Sequence, residues 1–304
     1  MKILITGVSG FIGQNLAPLL KEQDHSVIGM DILNKIQNDL LSVLDEYRQH
    51  DLLIQKGIEN KIADVECIIH LAGEASVTAN KNQIKLKNEV ATSNLLEALK
   101  NTKIRKILFL SSEKVNLRNH SYAESKFNAE QKIINCSADS DLSYTILRCA
   151  AIYGQGMKSN LVRWLEKVKI DSIYSIPPSN SEVSLIGISD LCNIISRCID
   201  NGSTDNKVYL VTDGQTYKIN EIEKATRDIF SDSNKTKYYP KWFVYIGAKV
   251  GDILNLLGLK FPLNSSAYHM FFHNKVEHDT SIYNDIGIQP TQNFLEELPV
   301  LLSE

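Results

Sequence analysis

Three side chains offer acid–base chemistry in this sequence: Tyr122, Lys126 and Ser112. Tyr122-Ala123-Glu124-Ser125-Lys126 sets a phenol and an ammonium four residues apart, and on a helix that spacing is one face. A free tyrosine titrates near ~10 and is a poor acid–base at neutral pH. A cation within about 4–6 Å favours the phenolate and can lower that value by roughly 1–3 units. Such a tyrosine can move a proton at a carbonyl or an alcohol. Ser112 closes the apolar run Lys106-Ile107-Leu108-Phe109-Leu110-Ser111, at the carboxyl end of an expected parallel strand, where ligands bind in open α/β sheets. Its hydroxyl can hydrogen-bond the same substrate oxygen. Taken alone, the Tyr-x-x-x-Lys spacing equally suits an exposed helix pair, so the elements around it have to decide.

The strongest of those elements is at the start of the chain. Met1–Ile5 is a short aliphatic run suited to a buried strand, followed by Thr6-Gly7-Val8-Ser9-Gly10-Phe11-Ile12-Gly13 and an amphipathic segment from Gln14 to Glu22. Strand, glycine turn and helix in succession make a dinucleotide phosphate site. Gly7 permits the tight turn, Gly10 leaves room for the pyrophosphate, and Gly13 lets helix and strand pack closely. The N–H groups of the turn, with Ser9, Phe11 and Ile12 between the glycines, and the positive end of the helix dipole face the phosphates. A second strand, Ser26–Met30, ends at Asp31. An acid there accepts from the adenosine ribose hydroxyls and repels a 2′-phosphate, which favours NAD over NADP. Lys35 nearby would soften that preference, and a solvated turn aspartate is the plainer alternative.

Further elements follow in alternation: a helix over Asn38–Tyr47, a strand over Tyr47–His50 leading to Asp51-Leu52, a helix over Ile58–Ala63, and an apolar strand Cys67–Leu71. Then come a helix over Asn88–Lys100, the strand Lys106–Leu110, a helix over Tyr122–Asn135 and the strand Tyr144–Leu147. This rhythm predicts right-handed crossovers and an α/β fold, a Rossmann-type doubly wound parallel sheet. Beyond residue 150 it loosens. A helix over Asp190–Ile199 and a strand over Val208–Val211 remain, and no sheet rhythm is visible after Asn234. The expected organisation is a cofactor domain over 1–155 with re-entrant segments near 184–230. A smaller, mostly helical substrate lobe takes 156–183 and 231–304.

Composition is that of a soluble globular chain, with a net charge of -3 and no basic run, so a nucleic-acid surface is not expected. Cys67, Cys136, Cys149, Cys192 and Cys198 form no Cys-x-x-Cys pair, so neither a disulfide framework nor a metal site is expected. They read as small buried groups in a reducing, cytoplasmic compartment, and the N-terminus does not read as a signal peptide. Trp242–Leu263 is the most membrane-like stretch. Lys249, Asp252 and Lys260 interrupt it, and an amphipathic helix folded onto the protein is expected in place of membrane insertion.

The ordered set Gly7, Gly10, Gly13, Asp31, Asp51-Leu52, His70-Leu71-Ala72-Gly73, Asn88, Ser111-Ser112, Tyr122 and Lys126 resembles the signature of the extended short-chain dehydrogenase/reductases. The resemblance spans the whole chain, including Leu147-Arg148, Ile152-Tyr153-Gly154 and Ser184–Leu191. Within that superfamily the chain is most similar to nucleotide-sugar 4-epimerases and 4-ketoreductases. Phe109–Asn116 is similar to a stretch in bacterial enzymes that make or reduce UDP-linked 4-keto hexosamines. The resemblance implies NAD as cofactor, adenine contacts from Asp51 and Leu52, and a nicotinamide wall from Leu71, Ala72 and Gly73. It gives Lys126 a second role on the nicotinamide ribose and Asn88 a buried hydrogen bond supporting the central helix and strand. Ser112, Glu113, Lys114 and Asn160 become candidate sugar contacts, and a homodimer would pair through Asn88–Lys100 and Tyr122–Asn135. Plainer readings stand beside these: Asp51 as a strand-end turn residue, His70 as packing, Asn88 as a helix N-terminal residue.

Three positions depart from the family pattern. Only nine residues separate Ser112 from Tyr122, fewer than extended members usually have. Val183 stands where an arginine usually pairs with the sugar-nucleotide phosphate, and Ala151 where epimerases often carry asparagine. Lys158, Asn160 and Arg163 are the candidates to supply the lost contacts. Glu113-Lys114 occupies the positions where related 4,6-dehydratases keep an acid and a base; a solvated pair or a substrate contact are the other readings. The expected activity is an NAD-dependent 4-epimerase acting on a UDP-hexose or UDP-N-acetylhexosamine. A 4-ketoreductase using NADH or NADPH, a dehydratase, and a non-catalytic NAD-binding protein are the alternatives.

Overall fold

The computed structural model describes residues 1–75, 80–100, 102–116, 121–157, 160–170, 174–175, 177–230, 237–259, 261, 263–272, 276 and 279–303. The chain divides into two compact units. The first comprises Met1–Ala150, Ile188–Val211 and Asp279–Gln289; the second comprises Ala151–Gly187, Thr212–His278 and Pro290–Glu304.

The first unit is a seven-stranded, wholly parallel sheet. In chain order its strands are β1 (Lys2–Thr6), β2 (Ser26–Asp31), β3 (Glu46–Gln49), β4 (Cys67–His70), β5 (Lys106–Ser112), β6 (Ser143–Cys149) and β7 (Lys207–Val211). In space the order is β7-β6-β5-β4-β1-β2-β3, reversing direction between β1 and β4. That reversal is the switch point outside which an open α/β sheet opens a ligand crevice. The helices are α1 (Phe11–Glu22), α2 (Asn38–Val43), α3 (Ile58–Ile62), α4 (Lys81–Lys85), α5 (Ala91–Leu99), α6 (Ser121–Ala138) and α7 (Ile188–Asp200). Leu4, Ile28, Ile68, Ile107 and Ile146 of the sheet form one core with Leu95 and Leu96 of α5 and Ala129 and Ile133 of α6. The central strands are apolar on both faces because both faces are covered.

The elements differ from the sequence expectations in places. The helix expected over Asn38–Tyr47 stops at Val43, Leu44 turns extended, and β3 begins at Glu46. Asp45 explains the break: its carboxylate accepts from the Val27 N–H at 2.7 Å and from Lys21, fastening this corner to β2 and α1. The helix expected over Asn88–Lys100 begins earlier, at Lys81, and passes through a π turn at Leu86–Val90 before α5. The domain boundary falls at Ala150 instead of 155, the re-entrant segment is 188–211, and a further return over Asp279–Gln289 was not expected.

The second unit has its own core of Tyr153, Leu161, Leu165, Tyr217, Ile222, Phe294 and Leu298, in which Tyr153 and Tyr217 meet Phe294 edge-on at 5.1 and 5.7 Å. Besides helices it contains short strand pairs, among them Lys237–Tyr238 against Tyr174–Ser175, beyond the point where no strand was expected. Two-residue strands leave no periodicity to read.

Candidate active site

The opening turn has the geometry of a phosphate cradle. Gly7 sits at φ 71°, and a Cβ there would meet the Cα and N of Ala72 at 2.8 Å. At Gly13 a Cβ would lie 2.4 Å from the Val8 carbonyl oxygen, so α1 can approach β1 only with glycine. Gly10 is the residue before α1; no side chain caps this helix end and no acid lies in its first turn. A helix end of this kind presents N–H groups and positive potential to an anion. The Ser9 hydroxyl is buried in the same turn and finds no partner among the described residues. Asp31, at the tip of β2, accepts from the N–H groups of Ser9 at 3.1 Å and Ile32 at 2.7 Å, which fixes the carboxylate beside the turn. The turn and this acid therefore fit a dinucleotide. Asp51 accepts from the Leu53 N–H at 2.9 Å, and the carbonyl of the buried Leu52 accepts from Asn94 at 2.8 Å.

Below the turn a chain of hydrogen bonds crosses from strand to helix. Thr92 donates to the Asn88 carbonyl at 2.6 Å, so its oxygen must accept from His70 Nε2 at 3.0 Å. His70 Nδ1 is then the acceptor of the Thr6 hydroxyl at 2.8 Å, while the Thr6 oxygen accepts from the Ala72 N–H at 3.3 Å. His70 is completely buried, and burial, with the Lys126 charge, pushes it down to about 3. It is neutral, in the Nε2–H tautomer, and ties β1, β4, the loop after β4 and the π turn together. Asn88 continues the chain: its amide oxygen accepts from the Glu74 N–H at 2.8 Å, and its nitrogen donates to Ser125 at 2.9 Å. The same amide oxygen leaves no room for a Cβ at Gly73, which would lie 2.6 Å away. Leu71 hydrogen-bonds through its N–H to the Thr6 carbonyl at 3.2 Å, so Leu71, Ala72 and Gly73 all border the glycine turn or its support.

Ser112, Tyr122 and Lys126 come together at the end of β5 and the first turns of α6, and all three are buried. The Ser112 and Tyr122 side chains are hydrogen-bonded to each other. Burial pushes the phenol up to about 12, with the Ser112 hydrogen bond acting in the opposite direction. Lys126 is pushed down to about 8 by burial; its ammonium donates to the Leu110 carbonyl at 2.9 Å and lies 4.8 Å from the centre of the Phe109 ring. The fall in the tyrosine's value expected from this lysine is thus not delivered by the fold alone. Desolvation dominates at Tyr122, and the ammonium is held on the strand carbonyl.

Glu113 and Lys114 follow Ser112 in a 3-10 turn, Glu113–Asn116, whose Lys114 N–H donates to the Ser112 oxygen at 3.3 Å. They are not a solvated pair. Both are half-buried, burial pushes Glu113 up to about 7 against the pull of Lys114, and burial lowers Lys114. Lys158 lies outside the described residues, and of Asn160 only its place at the start of the helix Asn160–Lys169 is described. Arg163 is exposed on that helix, Val183 is buried in the second unit's core, and Ala151 is exposed at its edge. Sequence reasoning missed Thr6, Thr92 and Ser125, and also Glu130, which is fully buried, accepts from Arg148 at 2.7 Å and holds Ser111. Two spacings carried the signal: Thr92 is four residues after Asn88, and Glu130 is one further turn along the Tyr122–Lys126 face.

Comparison with known proteins identifies a family and several similar chains. The model of the NAD dependent epimerase/dehydratase family matches residues 3–212. A UDP-glucose 4-epimerase of Vibrio cholerae is 27% identical over 246 residues, covering 72% of this chain and 73% of the relative. A UDP-2-acetamido-2,6-beta-L-arabino-hexul-4-ose reductase of Pseudomonas aeruginosa is 25% identical over 303 residues, covering 98% of this chain and 71% of the relative. Among solved structures, a UDP-glucose 4-epimerase of Thermotoga maritima crystallised with UDP-glucose superposes with a TM-score of 0.78 at 19% identity, over 100% of this chain and 98% of the other.

Proposed function

The chain belongs to the NAD dependent epimerase/dehydratase family, whose members are NAD-dependent enzymes of the short-chain dehydrogenase/reductase type, and we propose that it is a nucleotide-sugar 4-epimerase. The observation that carries this reading is the buried Ser112–Tyr122 hydrogen bond with Lys126 one turn further along α6, in the same unit as a glycine turn that fits NAD. NAD would be held by the turn Gly7–Gly13, by Asp31 on the adenosine ribose, by Asp51 and Leu52 on the adenine and by Lys126 on the nicotinamide ribose. Leu71, Ala72 and Gly73 would wall the ring, with Asn88 supporting them. When bound it supplies the acceptor and donor of the C4 hydride.

The chain's own residues handle the proton. Tyr122 takes the proton of the C4 hydroxyl and returns it once the sugar presents its other face. Ser112 hydrogen-bonds the same oxygen, holding it in reach of the phenol. A phenol at about 12 is too basic to stay ionised at neutral pH, so Lys126 has to reach it electrostatically for proton transfer to run in both directions. Glu113 and Lys114, shielded from solvent beside Ser112, are placed in the reading as sugar contacts. The substrate class, a UDP-hexose or UDP-N-acetylhexosamine, rests on the relatives and on the solved structure with UDP-glucose.

A 4-ketoreductase is the second reading, favoured by the reductase relative that aligns with nearly the whole chain. The two separate on cofactor and turnover. For the epimerase, purified protein carries NAD, and NMR shows interconversion of a C4 epimer pair without added reductant. For the reductase, the site is loaded only on adding NADH, which is consumed in proportion to product. Tyr122→Phe should lower kcat by roughly 10²–10⁴-fold with NAD affinity retained. No interconversion of any UDP-hexose or UDP-N-acetylhexosamine pair would refute the epimerase.

A further inference from the structure

The helix Lys241–Leu256 of the second unit turns only a narrow face inward. Val244, Ala248 and Gly251 are buried, and a Cβ on Gly251 would meet the Leu263 carbonyl oxygen at 1.8 Å. The opposite face is apolar and open. Trp242, Phe243, Ile246, Val250, Ile253 and Leu257 are all exposed, Trp242 by 65% and Leu257 by 72%. At 3.6 residues per turn they fall on one stripe about 100° wide, the width with which an amphipathic helix ordinarily faces its core. The sequence suggests a helix folded onto the protein; in the fold its larger apolar face points out. With the exposed Tyr245, Leu256 and Leu259 the open surface is on the order of 1,000 Å², above the roughly 300–600 Å² of the largest apolar patch on an ordinary monomer.

The chemistry around the stripe says what covers it. Its N-terminal end is a formed aromatic cluster: Tyr239 stacks on Phe243 at 5.6 Å, and Trp242 meets Phe243 edge-on at 5.9 Å. Amphipathic rings of this kind concentrate at the boundary between lipid headgroups and acyl chains. Lys249 is exposed along one edge of the stripe, its ammonium donating to the Ser265 hydroxyl at 3.2 Å and lying 5.6 Å from the centre of the Tyr245 ring, and Lys237 and Lys241 are exposed at the N-terminal end of the helix. The one acid among the described residues from Lys237 to Leu259 is Asp252, half-buried, and both its oxygens accept from Ser265. The rim is therefore cationic. A second copy seated antiparallel about a two-fold axis at the middle of the helix would bring Lys249 against its own counterpart, which opposes self-association. The helix, 16 residues long, reaches about 24 Å and is too short for a hydrocarbon core of about 30 Å. No helix among the described residues is long and apolar enough to cross a membrane.

We propose that the 241–257 face docks on an anionic bilayer surface, the stripe at the acyl boundary and the lysines among the headgroup phosphates. Such a helix lies in the interface plane and binds by apolar area together with attraction to anionic lipid. Vesicle flotation of the full chain tests it, because bound protein rises while aggregates pellet. The protein should float with phosphatidylglycerol–phosphatidylcholine vesicles at least ~10-fold more than with pure phosphatidylcholine. The double variant Ile246→Glu, Ile253→Glu should lose flotation with its Tm and NAD affinity unchanged. The proposal is overturned if wild type stays at the bottom with both vesicles, or if the variant floats like wild type. It is also overturned if wild type is a dimer that the variant splits without either floating, since a second copy then covers the face.

Discussion

Glu113 lies immediately after the serine that hydrogen-bonds the tyrosine, and its shielding from water has a measurable consequence. Its carboxyl is raised from the ordinary value to about 7, chiefly by burial. The folded chain then binds this proton more tightly than the unfolded chain does. The stabilisation is full below about pH 4.5 and is lost as the pH rises through 7. Glu113→Gln keeps the shape without the charge. Its stability in urea should match wild type near pH 4.5 and exceed it at pH 8 by about 1–3 kcal/mol, since each pKa unit is worth about 1.4 kcal/mol and partial exposure discounts the total. An equal difference at both pH values would show that Glu113 is solvated and would weaken its assignment as a sugar contact. Lys126 teaches the related lesson about residues. Its spacing from Tyr122 was readable in the sequence, but its hydrogen bond to the Leu110 carbonyl was not, because that depends on how far α6 slides along β5.

At the scale of elements, what was local was legible and what was assembled from distant segments was not. The glycine turn, the alternation of strands and helices and the strand-end serines are patterns within a few residues, and the parallel sheet follows from them. The π turn at Leu86–Val90 has no such signature. It places Asn88 and Thr92 where one reaches Glu74 and Ser125 and the other reaches His70, contacts between segments far apart in the chain. That network makes the π turn testable. Thr92→Val is nearly isosteric and removes both the acceptor for His70 Nε2–H and the donor to the Asn88 carbonyl. A buried N–H left without a partner costs about 1–3 kcal/mol. Urea denaturation should show a loss in that range, and NAD affinity should fall as well, because Asn88 steadies the Glu74 N–H and the loop after β4. A loss below about 0.5 kcal/mol would mean that the imidazole is held by Thr6 alone.

For the molecule as a whole, the first unit cannot be cut from the chain as one piece. It is built from three stretches, and the shortest, Asp279–Gln289, comes back to the edge strand β7. Ile282, Tyr283 and Ile286 are buried there. Asp285 provides the polar half of the join: its carboxylate accepts from Lys207 at 2.8 Å and Tyr209 at 2.6 Å, and its carbonyl from Asn201 at 3.0 Å and Ser203 at 2.8 Å. No pattern within residues 279–289 announces this return, because its partners lie about 80 residues earlier in the chain. The Lys207 and Tyr209 hydrogen bonds hold the Asp285 carboxyl below its ordinary value, so its contribution is present above about pH 3.8 and is lost as the pH falls below it. Asp285→Ala should lower the Tm by roughly a few degrees at pH 7, and the gap should close on acidification. NAD affinity should be unchanged, because β7 is four places from β1 in the sheet and the glycine turn is fixed by β1, β2 and β4. A calorimetric scan in which the variant matches wild type at pH 7 would show that Ile282, Tyr283 and Ile286 hold the third stretch without help from Asp285, and a gap that does not narrow on acidification would show that its contribution does not depend on the charge.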